Sequence, residues 1–212
     1  MNRFNEPRGR RSYHHGNLRQ ALIEAALKLI ADHGTEGVTL SEAARMAGVS
    51  PAAFYRHFKD RTGLIAAVAH RGFAEFADGL ERAWDNGRGT PMQALERIGA
   101  AYLDFARRKP AYFAAMFEAG IDHGADPELS RESDRALGVL RDAAAALHAT
   151  LPPQRRAPPL MIALHIWSLA HGIAALFLRG DLARRNLPVS PEDLLEAGMM
   201  IYLSGLGQQE GQ

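Results

Sequence analysis

An all-α fold of about nine helices is predicted for this chain of 212 residues, and three features carry the expectation. Apolar residues recur at three- and four-residue spacing, with no alternating runs bounded by hairpin turns. Thr39, Ser50, Thr90 and Ser190 each stand where a helix needs an N-cap. An apolar content of 47% is enough to bury a sizeable core in one or two compact units.

Residues 1–16 read as a flexible basic arm, because Arg3, Arg8, Arg10 and Arg11 lie in a stretch rich in Asn, Pro and Gly. His14 and His15 adjoin one another with no Cys or close carboxylate, so they form no expected metal site. Residues 17–62 form a three-helix unit whose last two helices, TLSEAARMAGVSPAAFYRHFKDR, meet at a glycine turn. Thr39 and Glu42 have the spacing of a capping box, in which each side chain satisfies a backbone donor of the other residue. Ala43, Ala44 and Ala47 give a small inner face, and Gly48 sits where the turn needs a left-handed backbone. Val49 fills the angle. Ser50 caps the second helix and Pro51 takes its first position. Phe54 and Phe58 recur four apart on its buried side, which leaves Ala52, Ala53, Arg56 and His57 outward, and a new helix is expected near Asp60.

Residues 63–207 read as a helical bundle and 208–212 as a tail. A long helix over about 62–85 ends at Asn86-Gly87-Arg88-Gly89, and Thr90, Pro91 and Gln93 cap the next, which runs to about Arg108 before Pro110. A short apolar helix over 110–120 and another over about 128–150 follow. Beyond the Pro-rich LPPQRRAPP comes a helix over about 158–179, apolar on nearly all faces. Its length raises a membrane span, but His165, Ser168, His171 and Gly172 interrupt it and the mean hydropathy of the chain is −0.21, so no membrane partner is expected. Such a helix must be covered all round, by the core on one side and by a second subunit on the other. The last helix, capped by Ser190, Pro191 and Asp193 and ending near Gly205, offers a matching apolar surface.

Small residues at the exposed start of a helix allow close approach to base edges, and Tyr55, His57, Lys59 and Arg61 can donate to phosphates. Charge agrees with that division. Residues 1–61 carry ten Lys+Arg against six Asp+Glu, a net +4, whereas 62–212 carry 15 against 18, a net −3. The arm then either enters a minor groove or merely solubilises the chain. An ordinary helical hairpin is the alternative reading of residues 39–61.

Residues 13–73, and especially YHHGNLRQALIEAALKLIADHG, VTLSEAARMAGVS and FYRHFKDRTGLIAAV, resemble the DNA-binding domain of the TetR family of repressors. The resemblance implies DNA contacts at Thr39, Arg45, Ser50, Pro51, Ala52, Ala53, Tyr55, His57 and Arg61, to which the outward placement of Arg56 and Lys59 adds those two. The last position is commonly lysine in the family, so the phosphate contact falls to Arg61 or to Lys59. The segment IWSLAHGIAALFLRGDL resembles the C-terminal domain of a TetR subgroup that keeps a Trp, a His and a Gly here, as Trp167, His171 and Gly172. Gly172 inside a helix implies close helix approach or cavity space.

By that resemblance the chain is expected to regulate transcription, most simply as a repressor that binds a palindromic DNA operator as a homodimer and is released by a small apolar or aromatic effector. Tyr102, Phe105, Phe113, Phe117, Trp167 and His171 are the candidate ligand wall, although rings at helical spacing are also plain core. Leu169, Ile173, Leu176, Leu195, Met199 and Tyr202 are the candidate dimer interface. A ligand-independent regulator and an activator remain as alternatives. Enzyme chemistry has no footing, since G-x-S-x-G, H-E-x-x-H and phosphate-loop motifs are all missing, and no cofactor or metal is expected. The chain has no cysteine and no apolar signal-peptide stretch at its Arg-rich start, which together favour the cytoplasm.

Overall fold

The computed structural model describes residues 15–179, 185 and 187–205. Arg3, Arg8, Arg10, Arg11 and His14 of the expected arm, and the expected tail 208–212, lie outside the described residues. Among those residues the chain is helical with no strand: α1 (His15–His33), α2 (Leu40–Met46), α3 (Pro51–Phe54), α4 (Arg61–Trp84), α5 (Pro91–Arg108), α6 (Pro110–Phe117), α7 (Pro127–Thr150), α8 (Pro159–Arg179) and α9 (Pro191–Gly205).

Capping side chains set most of these boundaries. Asp60 Oδ1 accepts the Gly63 N–H at 2.8 Å to open α4. That helix ends where Asp85 and Asn86 turn left-handed at φ 47° and 49°, one residue before the expected break. Thr90 and Gln93 form a full capping box on α5, with bonds of 3.2 and 3.1 Å. Ser190 and Asp193 exchange bonds of 3.0 and 3.3 Å at the start of α9. Asp126 opens α7 by accepting from Glu128 and Leu129. α6 stops at Phe117 rather than near Gly120, which takes φ 64° three residues later.

α4 is the axis of the molecule. It packs against α1 on one side and against α5, α6 and α7 on the others. One continuous core therefore runs from Leu22 and Phe54 through Phe73 and Tyr102 to Leu140 and Met199. At Gly72 an added Cβ would lie 2.7 Å from Met116 Sδ, so the missing side chain is what lets α4 and α6 approach. Arg135 on α7 clamps α4 through Asp78 at 2.8 Å, Glu81 at 2.9 Å and the Ala74 carbonyl at 3.1 Å. α8 is long and apolar enough to cross a membrane by length and composition. Here Ile162, Ile166, Ala170 and Ile173 bury one of its faces in the bundle.

Candidate nucleic-acid interface and regulatory core

The geometry of α2 and α3 comes from local bonds. Thr39 Oγ1 accepts the Glu42 N–H and Ser50 Oγ accepts the Ala53 N–H, each at 3.3 Å. Gly48 takes φ 69°, and the Val49 N–H reaches the Ala44 carbonyl at 2.9 Å, which closes α2 with a glycine cap. Phe54 and Phe58 are buried, with ring centroids 5.8 Å apart. On the other side Thr39, Arg45, Ser50, Pro51, Ala52, Tyr55, Arg56 and Lys59 are exposed, while Ala53 and His57 are half-buried. The regular part of α3 is only four residues long, and a looser turn carries the chain from Tyr55 to His57.

Two arginines differ from a simple outward placement. The expected capping box at α2 is half formed, because the Glu42 carboxylate accepts from Arg45 Nε at 3.0 Å and Nη2 at 2.5 Å instead of from Thr39. A charged donor outcompetes a neutral backbone N–H. The hydrogen-bonded pair holds Glu42 below the usual carboxylate range and pushes Arg45 up. Arg61 is half-buried, with Nε donating to the Val38 carbonyl at 2.9 Å and Nη2 to the Thr35 carbonyl at 2.5 Å. It ties the start of α4 to the short 3-10 turn before α2. Lys59, in contrast, has no ion pair or hydrogen bond from its side chain among the described residues.

Farther into the bundle, all six candidate ligand residues belong to one connected cluster of rings that also includes Phe76. Trp167, Tyr102 and Phe105 contact its ring at centroid distances of 6.0, 5.0 and 5.0 Å. His171 stacks on Phe113 at 5.4 Å and meets the edge of Phe117 at 5.0 Å. The Tyr102 hydroxyl lies 2.8 Å from His171 Nδ1. Burial raises the tyrosine pKa and lowers that of the histidine, so the phenol O–H donates to a neutral imidazole. Phe105 also lines a cavity of about 370 Å³ between α4 and α5, whose rim carries Glu75, Asp78 and Asp104 with Arg82, Arg108 and Lys109. Phe73 and Phe76 were not among the candidates. Their spacing on α4 with Ala69 and Leu80 was the available signal, but it is equally that of plain core.

The candidate dimer residues need correcting. Ile173, Leu195 and Met199 are buried within their own chain, Leu195 against Gly99 and Met199 nearby, so they have no area left for a partner. Leu169 and Tyr202 are half-buried, Leu169 against Gly198 and Tyr202 against the His165 ring at 4.9 Å. Only Leu176 of the six is exposed, at 49%. The exposed apolar side chains of these helices are instead Leu160, Met161 and Leu164 on α8 and Leu194, Met200 and Ile201 on α9, with Ile201 72% exposed. At Gly172 an added Cβ would meet nothing within 4 Å, so space rather than close approach surrounds it.

Family models match both halves of the chain. Residues 22–68 match the family model described as bacterial regulatory proteins, tetR family, and residues 95–201 match that of the tetracyclin repressor-like C-terminal domain. The chain is 24% identical over 198 residues to an uncharacterized HTH-type transcriptional regulator, YobS, of Bacillus subtilis, covering 90% of this chain and 93% of that one. It is 35% identical over 102 residues to the HTH-type transcriptional regulator BetI of Rhizobium meliloti, covering 47% and 50% of the two chains. Among solved structures, a protein of unknown function from Rhodococcus sp. RHA1 superposes with a TM-score of 0.77 at 28% identity, covering 94% of this chain and all of that one. The TetR family regulator PfmR from Thermus thermophilus shares the fold with a TM-score of 0.65 at 18% identity, covering 86% and 97%.

Proposed function

Because this chain belongs to the TetR family of bacterial transcriptional regulators, we propose that it is a repressor, working in the cytoplasm as a homodimer on a palindromic operator, and that a small apolar or aromatic effector releases it. The observation that carries the DNA half of this reading is the outward face of α3. Ala52 and Ala53 leave room for base edges at its start, Arg56 and His57 supply the readers, and Tyr55 and Lys59 stand free to meet phosphates. Thr39, Ser50 and Pro51 bring the helix ends to the backbone, and Arg45 reaches it if it leaves Glu42. So few base-reading groups imply that DNA shape carries part of the specificity.

The unpartnered apolar face of α8 and α9 supports the dimer. Two copies joined there present two recognition units to inverted half-sites on one DNA face. The effector half rests on the aromatic cluster, where the Tyr102–His171 pair is the polar group that fixes a ligand's orientation. A ligand opening that cluster displaces α5 and α6, and α6 packs directly on α1 of the DNA-binding unit. The Glu24–Arg71 pair at 2.7 Å ties α1 to α4 as well. A shift there changes the spacing of the two recognition units, and by linkage operator DNA then weakens effector binding by the same factor. Selection of bound DNA from a random pool tests the reading. Two inverted half-sites are expected, and a motif with a single half-site, or no enrichment, would overturn it.

A further inference from the structure

Where α1, the turn after α3, α4 and the start of α7 meet, a cavity of about 230 Å³ opens between the DNA-binding unit and the helical body. One of its walls is cationic. Arg19 and Lys59 line it, and neither side chain has an ion pair or hydrogen bond among the described residues. The Arg19 guanidinium lies over the Phe58 ring, 5.2 Å from its centroid, which fixes it without neutralising it. The start of α7 adds acidic residues to the lining, Asp126 and Glu128. Asp126 uses Oδ1 to cap α7, and the Glu128 carboxylate has no ion pair or hydrogen bond among the described residues. On α4, half-buried His70 also lines the cavity, and its Nε2 atom is covered with no hydrogen-bond partner among the described residues. Buried polar atoms are nearly always satisfied, so this one marks an incomplete site.

The geometry points to a binding site for a small zwitterion of the free amino-acid type, with its carboxylate against Arg19 and Lys59 and its ammonium against Asp126 and Glu128. Two cations from α1 and the turn after α3 and two carboxylates from the start of α7 line one cavity, so an anion alone meets the carboxylates and a cation alone meets the basic pair. A ligand carrying both charges satisfies both pairs. The volume is below the roughly 300–1,000 Å³ of sites for drug-sized ligands and suits an occupant of amino-acid size. His57 lines the same cavity beside Lys59, and both belong to the proposed DNA-contacting set, Lys59 at a phosphate. A bound carboxylate there competes with the DNA backbone, so binding lowers operator affinity. That consequence rests on the operator-binding reading, whereas the binding itself does not.

The test is a titration of the full chain, followed by histidine side-chain NMR and by thermal unfolding. Glycine and 4-aminobutyrate are the zwitterionic probes, with sodium acetate and ethylammonium chloride at matched ionic strength as single-charge controls. A zwitterion is expected to move the His70 resonance and raise the unfolding midpoint, and the controls are not. Arg19→Gln and Glu128→Gln should each weaken the response about tenfold or more, through loss of one charged contact. Neither side chain makes a hydrogen bond or ion pair among the described residues, and circular dichroism verifies that each variant folds. An equal response in wild type and both variants, or a His70 resonance unmoved by either zwitterion, overturns the site. Operator binding measured on the same samples separates the two readings. Intact DNA binding without zwitterion binding removes only the site, and the converse removes only the operator.

Discussion

Lys59 and Arg61 stand two residues apart and have different roles. Arg61 spends two donors on the Val38 and Thr35 carbonyls, so its truncation removes charge-assisted bonds from the frame of the DNA-binding unit. Arg61→Ala should lower stability by about 1–3 kcal/mol, and Arg61→Lys should restore only part of it because a single ammonium cannot match the planar fork. Lys59→Ala should leave stability within about 0.5 kcal/mol and instead reduce the salt slope of operator binding by about 1. Denaturant titration and a salt series of DNA binding tell the two apart. Deeper in, burial depresses the His171 pKa below its unfolded value. The unfolded imidazole takes up its proton near pH 6.5, the folded one only at lower pH. Stability should therefore fall as pH drops below about 6.5 and level off beneath the folded pKa. His171→Asn should remove that increment, read as the difference from wild type so that the other histidines cancel. Tyr102→Phe should weaken the fold by about 1–2 kcal/mol, since it leaves the buried Nδ1 unpaired.

Two helix glycines serve opposite purposes. At Gly72 a methyl would strike Met116 Sδ at 2.7 Å and lie 3.2 Å from Tyr112 Cβ, both in buried residues, whereas at Gly172 it would meet nothing within 4 Å. Replacing Gly172 by Ala should stabilise the chain by up to about 1 kcal/mol through helix propensity alone. At Gly72 the same gain is opposed by overpacking of about 1–3 kcal/mol, so a net loss is expected there. Thermal or denaturant unfolding of the two alanine variants reads the contrast. Helix ends were legible because caps act locally. Ser50, Thr90 and Ser190 bond within three residues, as their spacing implies. Thr39 followed that rule for its own side chain, but Glu42 went to Arg45, a competition that the T-x-x-E spacing does not encode.

For the molecule as a whole, the apolar face shared by α8 and α9 is the feature the proposed dimer depends on. Met200→Glu with Ile201→Glu should leave the fold intact, since both side chains are exposed, yet yield a monomer by sedimentation at micromolar concentration with operator binding sharply reduced. A wild-type monomer under those conditions would remove the dimer. The sequence by itself determined the all-α class, the capped helix pair of residues 39–61 and the family, because caps, glycine turns and helical periodicity are written in neighbouring residues. Tertiary structure alone decided which side of each apolar helix is inside. Periodicity marks an apolar stripe, and a helix apolar all round carries no mark of which part the core takes. That is why Leu195 and Met199 lie buried while Met200 and Ile201 stand outside. The same holds for Arg61, whose carbonyl partners lie 23 and 26 residues away and come within reach only when the chain has folded.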